Sequence, residues 1–143
     1  MRESDKVELV DVAVEVVAAV IERSGPEGRL ILIWQRKPGG RHALKWEFPG
    51  GKVEPGEELR AALARELREE LAIDAVIGPV IEAYDFRYRP ETLTRLTFFR
   101  VTEYSGEITN LDFSALAWET LENLPAYDFL AGDIEFVKRL AAS

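Results

Sequence analysis

GGKVEPGEELRAALARELREELAI, residues 50–73, opens as a loop and closes as a helix. Pro49 and the Gly50–Gly51 pair oppose regular helix on its leading side, and the following Glu-Pro-Gly keeps the chain in turn geometry. From Glu57 onward the period changes. Leu59, Leu63, Leu67 and Leu71 recur every fourth residue and alanines fill much of the remainder, which predicts a helix with one apolar stripe. Five glutamates fall within residues 57–71 of a chain whose net charge is already −8. At 100° per residue, Glu66, Glu69 and Glu70 share an arc beside the leucine stripe.

That arrangement is poor design for helix stability alone. Glu66 and Glu70 repel each other at about 0.2–0.5 kcal/mol, and their i±3 and i±4 neighbours offer no base; only Glu69 has one, in Arg65. Glu69 and Glu70 also lie in the last turn, where the macrodipole disfavours negative charge by about 0.3–1 kcal/mol each. A solvated charged face remains one reading of these residues. The other is a set of carboxylates gathered for a hard divalent cation, which takes oxygen ligands and relieves the repulsion. An ideal wheel puts Glu57 away from the cluster.

Around this helix the chain reads as one domain over residues 1–143, of which 47% are apolar. Cysteine is absent, which excludes disulfides and thiol chemistry and fits a reducing compartment. The valine-rich run over residues 7–22 is interrupted by Glu8, Asp11 and Glu15 and is too short to span a bilayer. It is expected to be a strand of a cytoplasmic protein with no membrane partner. With 26 acidic against 18 basic residues, duplex nucleic acid is not the expected partner.

The turn signal SGPEG, residues 24–28, predicts antiparallel strands on either side, and residues 37–45 form a polar loop. Residues 73–89 and 92–104 are β-rich runs flanking Pro90–Glu91, expected as a hairpin. Trp118 belongs to a further short strand or loop. Ile134, Phe136, Val137 and Leu140 predict a last helix from about Gly132.

Gly51, five residues, Glu57, seven residues and then RELREELAI, residues 65–73, resembles the Nudix box, G-x5-E-x7-R-E-U-x-E-E-x-G-U with U aliphatic. The preceding KWEFPGGK, residues 45–52, is similar to the MutT-like, triphosphate-hydrolysing branch of that family. The one departure is Ala72, where the pattern has glycine. A left-handed helix exit there costs a residue with a Cβ about 1 kcal/mol.

The resemblance implies an α+β fold, a Nudix-like α/β/α sandwich with a central mixed β-sheet, the motif helix packing its leucines on the sheet. It implies Mg²⁺, with Mn²⁺ as a substitute, on Glu66, Glu69, Glu70 and the Gly50 carbonyl, with Glu57 supporting the loop and the metal shell. Arg65 would orient a carboxylate, or simply pair with Glu69. Asp112 would coordinate metal or take a proton from water, or else cap its turn.

Arg36, with Lys37 and Lys52, would clamp phosphates. Asp133, with Asp128 as second candidate, would read the base; as an ionised acceptor it suits the N1–N2 edge of guanine or the cytosine amine, unless it is only a helix N-cap. His42, the only histidine, rules out a His-based triad and is expected as a loop residue. Trp34, Trp46 and Trp118 are expected in packing roles.

The implied reaction is Mg²⁺-dependent hydrolysis of a nucleoside triphosphate to monophosphate and pyrophosphate, clearing damaged or surplus nucleotides, by a monomer or homodimer. Two alternatives are a nucleotide sugar or dinucleoside polyphosphate as substrate, and a nucleotide-binding module without turnover.

Overall fold

The computed structural model describes residues 12–143. In chain order these form β1 (Val12–Gly25), β2 (Gly28–Gln35), β3 (Trp46–Glu47), β4 (Gly50–Lys52), α1 (Leu59–Leu71), β5 (Asp74–Val76), β6 (Val80–Arg89), β7 (Thr92–Val101), β8 (Glu103–Ser105), β9 (Ala115–Thr120) and α2 (Ile134–Ala142). Residues 7–11, the start of the expected first strand, lie outside the described residues.

β1 organises the sheet. Its first part runs parallel to β7, from Val12 opposite Thr92 to Ile21 opposite Val101, while Val16–Ala18 pair antiparallel with β4. Its last residues turn through the expected hairpin into β2. β2 continues to β3 and β9, and β6 closes the other edge against β7. The sheet is therefore mixed, as expected.

Alternation along β1 and β2 builds a core on each face. Val17, Ala19, Ile21, Leu32 and Trp34 meet Leu63, Leu67 and Leu71 of α1. Ala18, Val20, Ile31 and Ile33 meet Phe136, Val137 and Leu140 of α2. Helices on both faces make the expected α/β/α sandwich, and the leucine stripe of α1 supplies one of its layers.

Two local expectations change. The run over residues 73–89 is not one strand: Gly78 and Pro79 divide it, and β5 leaves to pair with β8 in a separate two-stranded sheet. Proline has no N–H for a ladder, and a Cβ at Gly78 would lie 2.5 Å from the Arg100 carbonyl oxygen. The motif helix begins at Leu59, not Glu57; Glu58 is its N-cap and accepts from the Ala61 N–H at 3.1 Å. At its other end Ala72 does adopt the left-handed conformation, φ 61° and ψ 33°, and its N–H bonds to the Arg68 carbonyl.

Candidate active site

Because α1 starts late, Glu57 stands outside it and turns back on its side. The Arg65 guanidinium donates to both Glu57 oxygens, Nε to Oε2 at 2.8 Å and Nη2 to Oε1 at 2.9 Å. Nη1 reaches Glu66 at 3.1 Å and Glu69 at 3.3 Å, and Nη2 also donates to the Lys52 carbonyl at 3.2 Å. Arg65 is thus a hub joining the loop to the helix. Its hydrogen bonds, with one from the Glu54 N–H, hold Glu57 at about 2, below the ordinary carboxylate value.

The expectation that Glu66 has no local base is overturned here. Helical side chains lean toward the N-terminus, so Arg65, drawn back to Glu57, passes the Glu66 carboxylate. The glycines ahead of the helix give that carboxylate its place. A Cβ on Gly51 would lie 2.5 Å from the Glu66 carboxyl carbon, and one on Gly50 would collide with the Val17 carbonyl.

Glu70 points elsewhere. The Leu111 N–H bonds to the Glu70 carbonyl at 3.3 Å and the Thr109 N–H to the Leu71 carbonyl at 3.0 Å, so the loop carrying Asp112 is tied to the end of α1. Burial first, then the nearby Asp112 and Glu69 charges, push the Glu70 carboxyl up; burial also raises Glu66, against the pull of Arg65. Asp112 does not cap its turn. Asn110 does, accepting from the Phe113 N–H at 2.8 Å. Asp112 is exposed and pairs with Lys37 at 3.2 Å.

Among the described residues no three acidic or histidine side chains converge on a single point, because Arg65 draws Glu66 and Glu69 while Glu70 faces Asp112. The donor chemistry nevertheless suits a hard divalent cation. Every donor is an oxygen, and Glu70 Oε2 is buried without a hydrogen-bond partner.

A cavity of about 300 Å³ opens beside this cluster, floored by Val16, Ala18, Thr94 and Leu96 of the sheet and bounded by Gly50, Gly51 and Lys52. This is the scale of a small-molecule site. At its far wall the Glu47 carboxylate, opposite Trp34 in the β2–β3 pair, accepts from Trp34 Nε1 at 3.0 Å and from Arg36 Nε and Nη2 at 3.0 and 3.3 Å. Asp133 faces the same cavity and is 6% exposed. It occupies the N-cap position of α2 without making a cap hydrogen bond. Burial, reinforced by Glu47 and only partly offset by Arg36, pushes its carboxyl up to about 8. Its surroundings supply too few donors to hold a charge, so burial works against the ionised form expected of Asp133.

A second, shallower cavity shares Arg36, Arg41, Glu47 and Gly50 with the first and reaches Asp112 and Phe113. Asp128 lines neither cavity; its carboxylate binds Lys45 at 2.8 Å on the outside. Lys52 lines the first cavity, and His42 is a loop residue, as expected, but one whose ring lies 5.5 Å from that of Tyr88 across the mouth. Trp34 is buried and stacks on Phe113 at 3.6 Å; Trp46 packs edge-on to Tyr127, and Trp118 lies under the Arg23 guanidinium. The tryptophans all pack. Glu47, Arg41 and Tyr88 were not anticipated. Glu47 carried a signal, an acidic residue inside WEFPGG one position after a core tryptophan.

The family model described as NUDIX domain matches residues 14–140. A CTP pyrophosphohydrolase of Escherichia coli is 38% identical over 129 residues, 90% of this chain and 92% of the relative. An 8-oxo-dGTP diphosphatase of Haemophilus influenzae is 33% identical over 127 residues, 89% of this chain and 90% of the relative. The crystal structure of a MutT protein from Methanosarcina mazei superposes with a TM-score of 0.78 at 26% identity, over 92% of this chain and 95% of that one.

Proposed function

Since the chain belongs to the NUDIX domain family, we propose that it hydrolyses a nucleoside triphosphate to a nucleoside monophosphate and pyrophosphate. One observation carries this reading: a cavity lined by Asp133 and Tyr88 shares its Gly50, Arg36 and Glu47 wall with a second that reaches Asp112. The names of the relatives, a CTP pyrophosphohydrolase and an 8-oxo-dGTP diphosphatase, support a triphosphate over a nucleotide sugar. They also support a role in clearing damaged or surplus nucleotides.

Glu66, Glu69, Glu70 and the Gly50 carbonyl would hold Mg²⁺, or Mn²⁺ in its stead. When bound, the ion would neutralise phosphate charge and lower the pKa of water, so that water gives up a proton and attacks as hydroxide. Arg65 keeps Glu66 and Glu69 in place through its grip on Glu57 and the Lys52 carbonyl. Glu70 and Asp112, whose charges interact at the end of α1, would accept the proton of the attacking water. Arg36, held flat by Glu47, presents its remaining donors to the cavity.

In its neutral form, the one that burial favours, Asp133 offers the base one donor and one acceptor. That pair complements the N3 acceptor and N4 amine of cytosine, whereas two donors, as on guanine N1–N2, would need the ionised form. Adenine N1–N6 presents the same acceptor and donor, so the choice of a cytosine nucleotide rests on the name of the CTP pyrophosphohydrolase relative.

A panel of nucleoside triphosphates, including CTP, dCTP, GTP and 8-oxo-dGTP, assayed with Mg²⁺ and with products identified, tests this. Monophosphate and pyrophosphate are expected, with cytosine nucleotides foremost. Tight binding with no turnover above that of Glu69→Gln would mean a binding module instead.

A further inference from the structure

We propose that Arg41, in the loop between β2 and β3, grips the phosphate chain of the substrate, at the junction between the two cavities. This rests on the triphosphate reading above and names a binding residue for it.

A chain of net charge −8 must hold a polyanion, yet three of the cations near the motif are already answered. Arg36 is engaged by Glu47, Lys37 by Asp112, and Arg65 by Glu57, Glu66 and Glu69. Arg41 has no ion pair or hydrogen bond among the described residues, and it lines both cavities. Lys52 and Arg89 line only the first.

The backbone around Arg41 is unusual. Gly39 and Gly40 precede it with φ of 77° and 102°, and His42 and Leu44 follow with φ of 58° and 62°, a region that residues with a Cβ avoid. Such strain persists only where surrounding contacts over-determine it. Here the Lys45 N–H bonds to the His42 carbonyl at 3.1 Å and Gln35 Nε2 to the Leu44 carbonyl at 3.0 Å. With the His42 ring against Tyr88 on the opposite wall, the loop is braced across the mouth. A guanidinium held there has donors and no acceptors, the complement of phosphate oxygens. On the triphosphate reading the β- and γ-phosphates leave as pyrophosphate, so a guanidinium that grips them would hold that product and not the monophosphate.

The experiment compares wild type, Arg41→Ala, Arg41→Lys and Lys138→Ala, the last removing a distant exposed positive charge. For Arg41→Ala the KM for triphosphate should rise roughly tenfold or more while kcat stays within about threefold. Its salt dependence should also become shallower. Inhibition by pyrophosphate should weaken by a similar factor and inhibition by nucleoside monophosphate should not; Arg41→Lys should recover part, and Lys138→Ala should behave as wild type. An unchanged KM, or equal weakening of both products, would overturn the proposal. Calorimetric titration of pyrophosphate with Mg²⁺ into wild type and Arg41→Ala decides the matter even if no triphosphate is turned over, since equal or absent heats in both would also sink it.

Discussion

Glu57 and Asp133 are both carboxyls with an arginine in range, yet one is held at about 2 and the other is pushed to about 8. The difference lies in donors. At Glu57 two guanidinium nitrogens and a backbone N–H point at the carboxylate. At Asp133 the guanidinium is already turned to Glu47, and the carboxyl sits buried without a cap bond. The Glu57 side of the site thus keeps its charge by pairing, and burial works against charge at Asp133.

The two ends also respond oppositely to pH. Glu57 stabilises the fold above its ordinary 4.5, and that contribution is lost as pH falls toward about 2. Asp133 binds a proton more tightly folded than unfolded, so stability declines as pH rises from 3.8 through about 8.

If the carboxylate end works by charge, Glu70→Gln should lower kcat on the order of 10³-fold, about 4 kcal/mol of barrier, without lowering the melting temperature. Steady-state kinetics beside a thermal melt check both parts. Gly51→Ala is gentler: its Cβ displaces the Glu66 carboxylate while the strand survives, and kcat should fall roughly 10- to 100-fold with an unchanged circular dichroism spectrum.

At the base end, Asp133→Asn keeps one donor and one acceptor. It should hold KM near wild type at pH 7, remove the rise in KM expected above about pH 8, and flatten the alkaline loss of stability; Asp133→Ala should raise KM about tenfold. KM and urea midpoints across pH 6–9 would show it, and a large KM defect in the Asn variant at pH 7 would mean that the ionised acid reads the base. The smallest effect lies at the exit of α1. Ala72→Gly should raise stability by about 1 kcal/mol, seen as a higher urea midpoint at constant slope.

What the sequence made legible was local. The leucine period placed α1 and the turn signals placed both hairpins, while the alanine in a glycine position put the helix exit in question and the structure keeps it left-handed. The carboxylates were visible because their spacing is a cost to the helix. What stayed hidden depends on partners distant along the chain: the Arg36–Glu47 pair, the Lys37–Asp112 pair, and the burial of Asp133 behind elements from three regions. The Arg65 hub is a mixed case. Its link to Glu69 follows from helix spacing, but its link to Glu57 required the helix to start two residues later than the period suggested.

The parallel pairing of β1 with β7 sets residue 12 against residue 92. A ribosome adding 5–20 residues per second therefore leaves the central strand without that neighbour for on the order of ten seconds. During that interval β2 and β4, both made earlier, are the pairings open to it. The nascent chain must complete its carboxylate-bearing half first, with one edge of its longest strand unguarded, so slowed synthesis between β4 and β7 should favour aggregation over native yield.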